Sequence, residues 1–468
     1  MASSHILCLF SFFSLVAFTS SSLSTITIPL SPLFTKHPSS DPFQTLKVVA
    51  SASLTRAHNI KHRKSNSTSS SSSLVKTPVN PKSYGGYSVD LKFGTPPQTF
   101  PFLLDTGSSL VWFPCTSRYV CSRCSFPNID VTKTPKFIPK TSSSAKILGC
   151  KSPKCGWIFG SNVESRCRDC KADSQNCTQS CPPYIIQYGL GSTLGLLLSE
   201  NLDFPEKIVP NFLVGCSFMS IRQPSGIAGF GRGPQSLPSQ MGLKRFSYCM
   251  LSHRFDDKPE SSDLILETGS SRDSKNQGLS YAPFHKNPAV RNPAFQDYYY
   301  LTLRKVIVGK QRVKIPYRLL VPDSHGNGGS IVDSGSTFTF MERPIFDLVA
   351  QEFEKQMANY TRAKDVEAQS GLRPCFDISA QKSVSFPELT FQFKGGAKMT
   401  LPLTNYFSLV GKSASACLTI VTDNVVAPPM NGGPAIILGN FQQQDFYVEY
   451  DLENERLGFR PQSCKKTV

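Results

Sequence analysis

A chain of 468 residues is longer than one hydrophobic core usually supports, and 39% hydrophobic content with 33 Phe and only 18% charged residues excludes a disordered polymer. Two well-buried lobes plus flanking segments are expected. The formal charge of +17 raises a nucleic-acid partner, but eight basic residues against the single acid Asp41 lie in residues 1–82, and no helix-turn-helix, zinc-finger or RNA-binding signature accompanies the rest, so none is expected.

Residues 6–18 form an almost unbroken apolar run followed by small residues at 19–24. Although its first residues lack Lys and Arg, this reads as a removable secretory signal over 1–24. The run is too short to cross a bilayer, no later stretch approaches about 18 apolar residues, and the polar end Cys464-Lys-Lys-Thr-Val468 excludes a lipid-anchor tail signal. A soluble mature protein with no membrane anchor is expected. Residues 25–82 hold a candidate helix at 41–64 and then a Ser-rich stretch at 65–73 with the composition of a flexible tether. A basic helix on a loose tether suits a removable prosegment and equally a disordered arm.

From residue 84 the pattern is β. Positions 87–93 alternate apolar and polar, 94–98 is a turn, and 99–104 climbs to Asp105. Strand-like runs return at 184–188, 193–198, 208–216, 298–308, 388–393 and 416–421, a closing hairpin is expected over 447–459, and helices over 234–241 and 344–357. The glycine-rich segment 226–233 lacks the Lys-Ser/Thr and the βαβ frame of a phosphate loop, so its glycines are read as packing residues.

Fifteen Cys are present, one of them (Cys8) inside the signal, and an even remainder in an exported chain favours disulfides. Candidates are Cys115, Cys121, Cys124, Cys150, Cys155, Cys167, Cys170, Cys177, Cys181, Cys216, Cys249, Cys375, Cys417 and Cys464. Eight of the first nine would suit a stapled subdomain, with one left to pair elsewhere. Cys121-x-x-Cys124 and Cys167-x-x-Cys170 could instead hold zinc, but no His lies among them, so no metal is expected. The sequons at Asn66, Asn176 and Asn359 agree with export and mark candidate glycosylation sites.

Two stretches carry the chemistry. Around Asp105 and again around Asp333, an apolar strand delivers one Asp to a turn containing a hydroxyl residue and a Gly: Asp105-Thr106-Gly107-Ser108 and Asp333-Ser334-Gly335-Ser336-Thr337. Two such turns could set two carboxylates in one site, one charged as general base and one protonated as general acid. No Gly-x-Ser-x-Gly elbow and no metal-spaced His pair offers another catalytic class.

These turns, the apolar-apolar-Gly elements Ile227-Ala228-Gly229 and Ile437-Leu438-Gly439, and Tyr188-Gly189-x-Gly191-Ser192 give residues 84–464 a resemblance to pepsin-like aspartic proteases. The many early Cys, Gly229-Phe-Gly-Arg-Gly-Pro and Arg245-Phe-Ser-Tyr-Cys249 resemble the plant nepenthesin-like subgroup. The resemblance implies an all-β bilobal fold with a few short helices and a Cys-rich insertion in the N-terminal lobe, the lobes spanning 83–252 and 253–468. It implies a cofactor-free, monomeric aspartic endopeptidase acting on polypeptides, with a catalytically weak inhibitor or binding protein on the same fold as the alternative. The prosegment reading of 25–82 then prevails: a zymogen that matures in acid, exported to the cell wall or apoplast or held in a vacuole.

By the same resemblance, Asp105 and Asp333 are catalytic, Thr106 and Ser334 lock the turns to each other, and Ser108 and Ser336 contact the carboxylates from outside. Gly107 and Gly335 give backbone room, and Thr337 supports the second turn. Tyr188 and Gly189 form a flap over substrate, with the Tyr188 hydroxyl reaching Trp112 and little core burial expected at the tip. Disulfides Cys375–Cys417 and, across the lobes, Cys216–Cys464 are implied.

Overall fold

The computed structural model describes residues 25–32, 42–62 and 85–465, apart from 125–130, 168, 171–176, 189–190, 206, 224, 253–260, 270–277, 290–292, 382, 411–414 and 424–431. The signal, the Ser-rich tether, Asn66, Asn176 and Gly189 lie outside the described residues. Asn359 is exposed in the turn after a helix.

The fold is mainly β, and its largest sheet has 15 strands among the described residues. Alternation translates directly into one-sided burial: in Tyr87–Phe93 positions 87, 89, 91 and 93 are buried while Asp90 and Lys92 face water. Tyr87–Phe93 pairs antiparallel with Gln98–Asp105, forming the hairpin that ends at the first Asp. Gln98–Asp105 also pairs in parallel with Gly226–Gly229, and in the C-terminal lobe Ser330–Val332 pairs in parallel with Ile436–Leu438. Each apolar-apolar-Gly element thus lies beside the strand that delivers an Asp. Its glycine is a contact requirement: a Cβ on Gly229 would stand 2.3 Å from the Ser109 carbonyl carbon and oxygen, and one on Gly439 2.3 Å from the Thr337 carbonyl oxygen. Packing, not phosphate binding, explains these glycines.

The run 298–308 is two strands in different sheets, Tyr299–Leu301 and Leu303–Val308. The expected helix at 344–357 is Arg343–Gln356, with Ile345, Phe346, Val349, Ala350 and Phe353 buried. The closing hairpin, Phe446–Asp451 with Arg456–Pro461, pairs with Arg245–Cys249 from the first half of the chain. Sheet and chain ends are tied there by Cys249–Cys464.

Seven disulfides are present among the described residues. Eight of the first nine body cysteines pair among themselves, as 121–124, 150–167, 155–181 and 170–177, and the ninth, Cys115, pairs with Cys216. Cys375–Cys417 forms. The implied Cys216–Cys464 bridge does not. Phe113 and Cys216 are register partners of adjacent parallel strands, which brings Cys115 rather than Cys464 to Cys216.

Several elements were not read from the sequence, among them Ser262–Glu267 and a strand ahead of the leader helix. Thr25–Pro32, here the leader strand, inserts between Tyr87–Phe93 and Ser262–Glu267, pairing antiparallel with both. The leader helix, Pro42–His62, follows, within the expected 41–64.

Candidate active site

The two Asp turns meet at the junction of the lobes. Thr106 N–H donates to Ser334 Oγ (3.0 Å) and Ser334 N–H to Thr106 Oγ1 (2.9 Å), while Ser334 Oγ donates to the Leu104 carbonyl (2.9 Å) and Thr106 Oγ1 to that of Val332 (3.3 Å). Each hydroxyl therefore holds the other lobe's backbone. Such a reciprocal set fixes both turns in one geometry, because releasing either hydroxyl strands buried polar groups.

Within each turn the carboxylate is gripped alike. Asp105 accepts from Gly107 N–H (2.9 Å) and Ser108 Oγ (2.5 Å), and Asp333 from Gly335 N–H (3.0 Å) and Ser336 Oγ (2.5 Å). Both carboxylates are fully buried. The glycines are demanded by proximity, since a Cβ on Gly107 would lie 2.6 Å from Asp333 Oδ1 and one on Gly335 2.5 Å from Asp105 Oδ1. Thr337 is buried beside them, and its carbonyl accepts from Phe441 N–H (3.0 Å).

Between the carboxylates stands Arg56 of the leader helix. Its Nη2 donates to Asp105 Oδ1 (2.5 Å) and Asp333 Oδ1 (2.8 Å), and its Nε to Asp333 Oδ2 (2.6 Å) and Ser336 Oγ (3.0 Å). Burial disfavours the Arg56 charge, yet the two Asp raise its pKa above the ordinary value. Burial pushes Asp105 above the usual carboxylate range despite Arg56, helped by the neighbouring Asp333; for Asp333 burial is outweighed by Arg56 and its two-point hydrogen bonding, and the shift is downward. The pair is thus electrically unequal, with Asp333 the better anion.

The helix face explains why Arg56 reaches this point. Leu46, Val49, Ala50, Ser53, Ala57 and Ile60 recur at helical spacing, and the apolar ones pack on Phe338, Phe340, Val366, Leu372, Val421 and Phe441 of the C-terminal lobe. Ser53 Oγ accepts from Phe338 N–H (2.9 Å), and Tyr298 donates to the Ile60 carbonyl (3.2 Å). Arg56, Lys61, Arg63 and Lys64 lie close together in the sequence, and composition does not distinguish them. The stripe is the signal that singles out Arg56.

The hairpin of Tyr184–Gln187 and Ser192–Phe204 turns between Tyr188 and Gly191, whose backbones bond to each other. Tyr188 and Trp112 rings lie 6.2 Å apart, but Trp112 Nε1 has no hydrogen-bond partner among the described residues, so the expected hydroxyl-to-indole bond is absent. Nor is the tip lightly packed, because Tyr188 is only 4% exposed in a cluster with Trp112, Leu110 and Ile227. Tyr188→Ala should therefore cost about 3 kcal/mol, the scale for truncating a buried aromatic, whereas Tyr188→Phe should melt close to the wild type. A loss of peptide turnover shared by both variants, measured beside thermal melts, would assign it to the hydroxyl; a loss confined to Ala would assign it to packing.

The fold and the paired turns define a bilobal protein with an aspartate dyad at its lobe junction. The xylanase inhibitor N-terminal and C-terminal family profiles match residues 87–266 and 298–461. A probable aspartyl protease of Arabidopsis thaliana is 33% identical over 418 residues, covering 81% of this chain and 82% of the relative. Nepenthesin-2, an aspartic proteinase of Nepenthes gracilis, is 33% identical over 402 residues, covering 84% and 81%. The crystal structure of Basic 7S globulin from soybean shares the fold with a TM-score of 0.59 at 16% identity, covering 94% of this chain and 96% of that one. The chain belongs to the pepsin-like aspartic protease family.

Proposed function

We propose that the protein is an aspartic endopeptidase, made as a latent precursor and exported, that hydrolyses polypeptides with water activated between Asp105 and Asp333. The observation supporting this is that both Asp turns are whole and gripped by matching hydrogen bonds from Gly107 and Ser108 and from Gly335 and Ser336. Once Arg56 withdraws, two adjacent carboxylates cannot both ionise cheaply, so the pair keeps one proton and titrates as a unit, pepsin-like enzymes being the standard instance. The charged member takes a proton from water as it attacks the peptide carbon. The protonated member polarises the carbonyl and then supplies the leaving amine with a proton. Neither a covalent intermediate nor a cofactor is required.

The leader supports latency, since Arg56 occupies the place where water and carbonyl must sit. The natural compartment on this reading is outside the cell or in a vacuole. The test is hydrolysis of a protein substrate by the full-length chain before and after acidification, with inhibition by a pepstatin-type peptide. A binding or inhibitory role is favoured by the name of the matching family profiles. Tight binding of a pepstatin-type peptide without any hydrolysis would establish that role instead.

A further inference from the structure

Lys61 is a second leader cation held against the body, in a slot separate from the dyad. Its ammonium pairs with Glu342 and lies 5.6 Å from the centre of the Phe340 ring. The Lys61 side chain is fully buried, while that of Glu342 keeps 18% exposure. Burial works against the Lys61 charge and lowers its pKa, and the attraction of Glu342 and Asp423 opposes this. Gly433 makes room for the leader backbone, because a Cβ there would stand 2.9 Å from Lys61 Cα. Glu342 directly follows Thr339–Met341, the strand that leaves the Asp333 turn, so the slot belongs to the wall beside the dyad.

Arg56 and Lys61 sit on one helix, and a separation of five residues is about 7.5 Å of helical rise. An extended chain covers that distance in two to three residues at about 3.3 Å each. When the leader leaves, Glu342 and Asp423 lose their cation and Phe340 loses its cover. The next chain to enter the cleft meets the Glu342 carboxylate beside an aromatic face, with the negative charge of Asp423 adding to the field, a receptor for Lys or Arg. Resting on the endopeptidase reading above, we infer that Glu342, with Phe340 and Asp423, forms a cation-selecting subsite, so that preferred substrates carry Lys or Arg two or three residues from the scissile bond.

The experiment uses the full-length chain, allowed to fold and then cut between residues 63 and 84. Peptides with Lys, Arg, Gln, Leu or Glu stepped through three positions on either side of the scissile bond are assayed for hydrolysis. Reduced-amide analogues of the same peptides, which bind without being cut, are titrated calorimetrically. One position should favour Lys and Arg over Gln by about ten- to a hundredfold, chiefly in KM and in analogue affinity. Glu342→Gln should erase that preference, Glu342→Asp should keep part of it, and Glu342→Lys should turn it towards Glu. Because Glu342 is partly exposed at the cleft wall, these variants should fold, which thermal melts will check. Hydrolysis with the same positional preferences in wild type and Glu342→Gln would overturn the subsite and leave Lys61–Glu342 as a leader anchor only. Glu342-dependent preference for Lys in binding without hydrolysis would overturn the endopeptidase reading while leaving the subsite standing. Neither binding nor hydrolysis would overturn both.

Discussion

Replacing either Asp105 or Asp333 with Asn in the processed protein should lower kcat/KM for peptide hydrolysis by at least about a thousandfold, the usual weight of a general acid or base at its reacting bond. Asn keeps the shape of the side chain and one oxygen to accept from the turn amide, with its NH2 set to donate to the serine hydroxyl. What it loses is the shared proton. Because the two carboxylates act as one unit, the double variant should be barely worse than either single one. The fold should survive, since the bonds exchanged by Thr106 and Ser334 with the opposite backbone do not involve the carboxylates. Initial rates on one peptide, with thermal melts of the same preparations, make the check. Near-full activity in either variant would end the dyad mechanism.

Much of the architecture was legible because burial writes itself into short-range pattern. The alternation in Tyr87–Phe93 and the amphipathic Arg343–Gln356 follow from one buried face each. The repeated Asp-hydroxyl-Gly turn announced a twofold site before any geometry, since both copies sit at the end of an apolar strand. Long-range pairing left weaker traces. The Cys115–Cys216 bridge depends on strands Trp112–Pro114 and Lys207–Ile221 lying side by side, an adjacency with no local signature. Thr25–Pro32 alternates Ile26, Ile28 and Leu30 with other residues, yet Pro29 and Pro32 and the neighbouring apolar run obscured a strand that takes its place only through two distant partners. The break at Thr302, which sends Tyr299–Leu301 and Leu303–Val308 into different sheets, was likewise invisible in an uninterrupted strand-like run. Basic residues in the leader were plain from composition. Which of them meets the dyad was decided by the packed stripe of Leu46, Val49, Ala50, Ala57 and Ile60.

In the uncut full-length chain at pH 7, Arg56→Met should raise peptide hydrolysis by roughly a hundredfold or more, because removing one partner of a buried ion pair typically costs about 3 kcal/mol or more. Wild type should gain similar activity only on acidification, and the sign follows from the dyad. Burial raises Asp105 and Asp333 alike, and Arg56 pulls both down, enough to leave Asp333 below its ordinary value. Withdrawing Arg56 removes that pull and leaves the mutual repulsion of the carboxylates, so release of the leader is coupled to proton uptake and acid favours it. The holding contributed by Asp333 is complete above the pKa of the released dyad, which mutual repulsion raises, and is lost as pH falls through the lowered docked value. Asp105, held higher, gives up its anion first. Arg56 itself stays charged throughout, its raised pKa lying far above this window. Latency should therefore persist at neutral pH and fail progressively as pH falls, first as Asp105 takes up its proton above the ordinary carboxylate value and then as Asp333 does so below it. Lys61→Met should weaken latency less, because it leaves both bonds of Arg56 to Asp333 in place. Rates recorded across pH, with the N-terminus sequenced at each point, separate release from cleavage. Full wild-type activity at pH 7 with the leader intact, or an Arg56→Met chain as latent as wild type, would show that Arg56 does not hold the precursor silent.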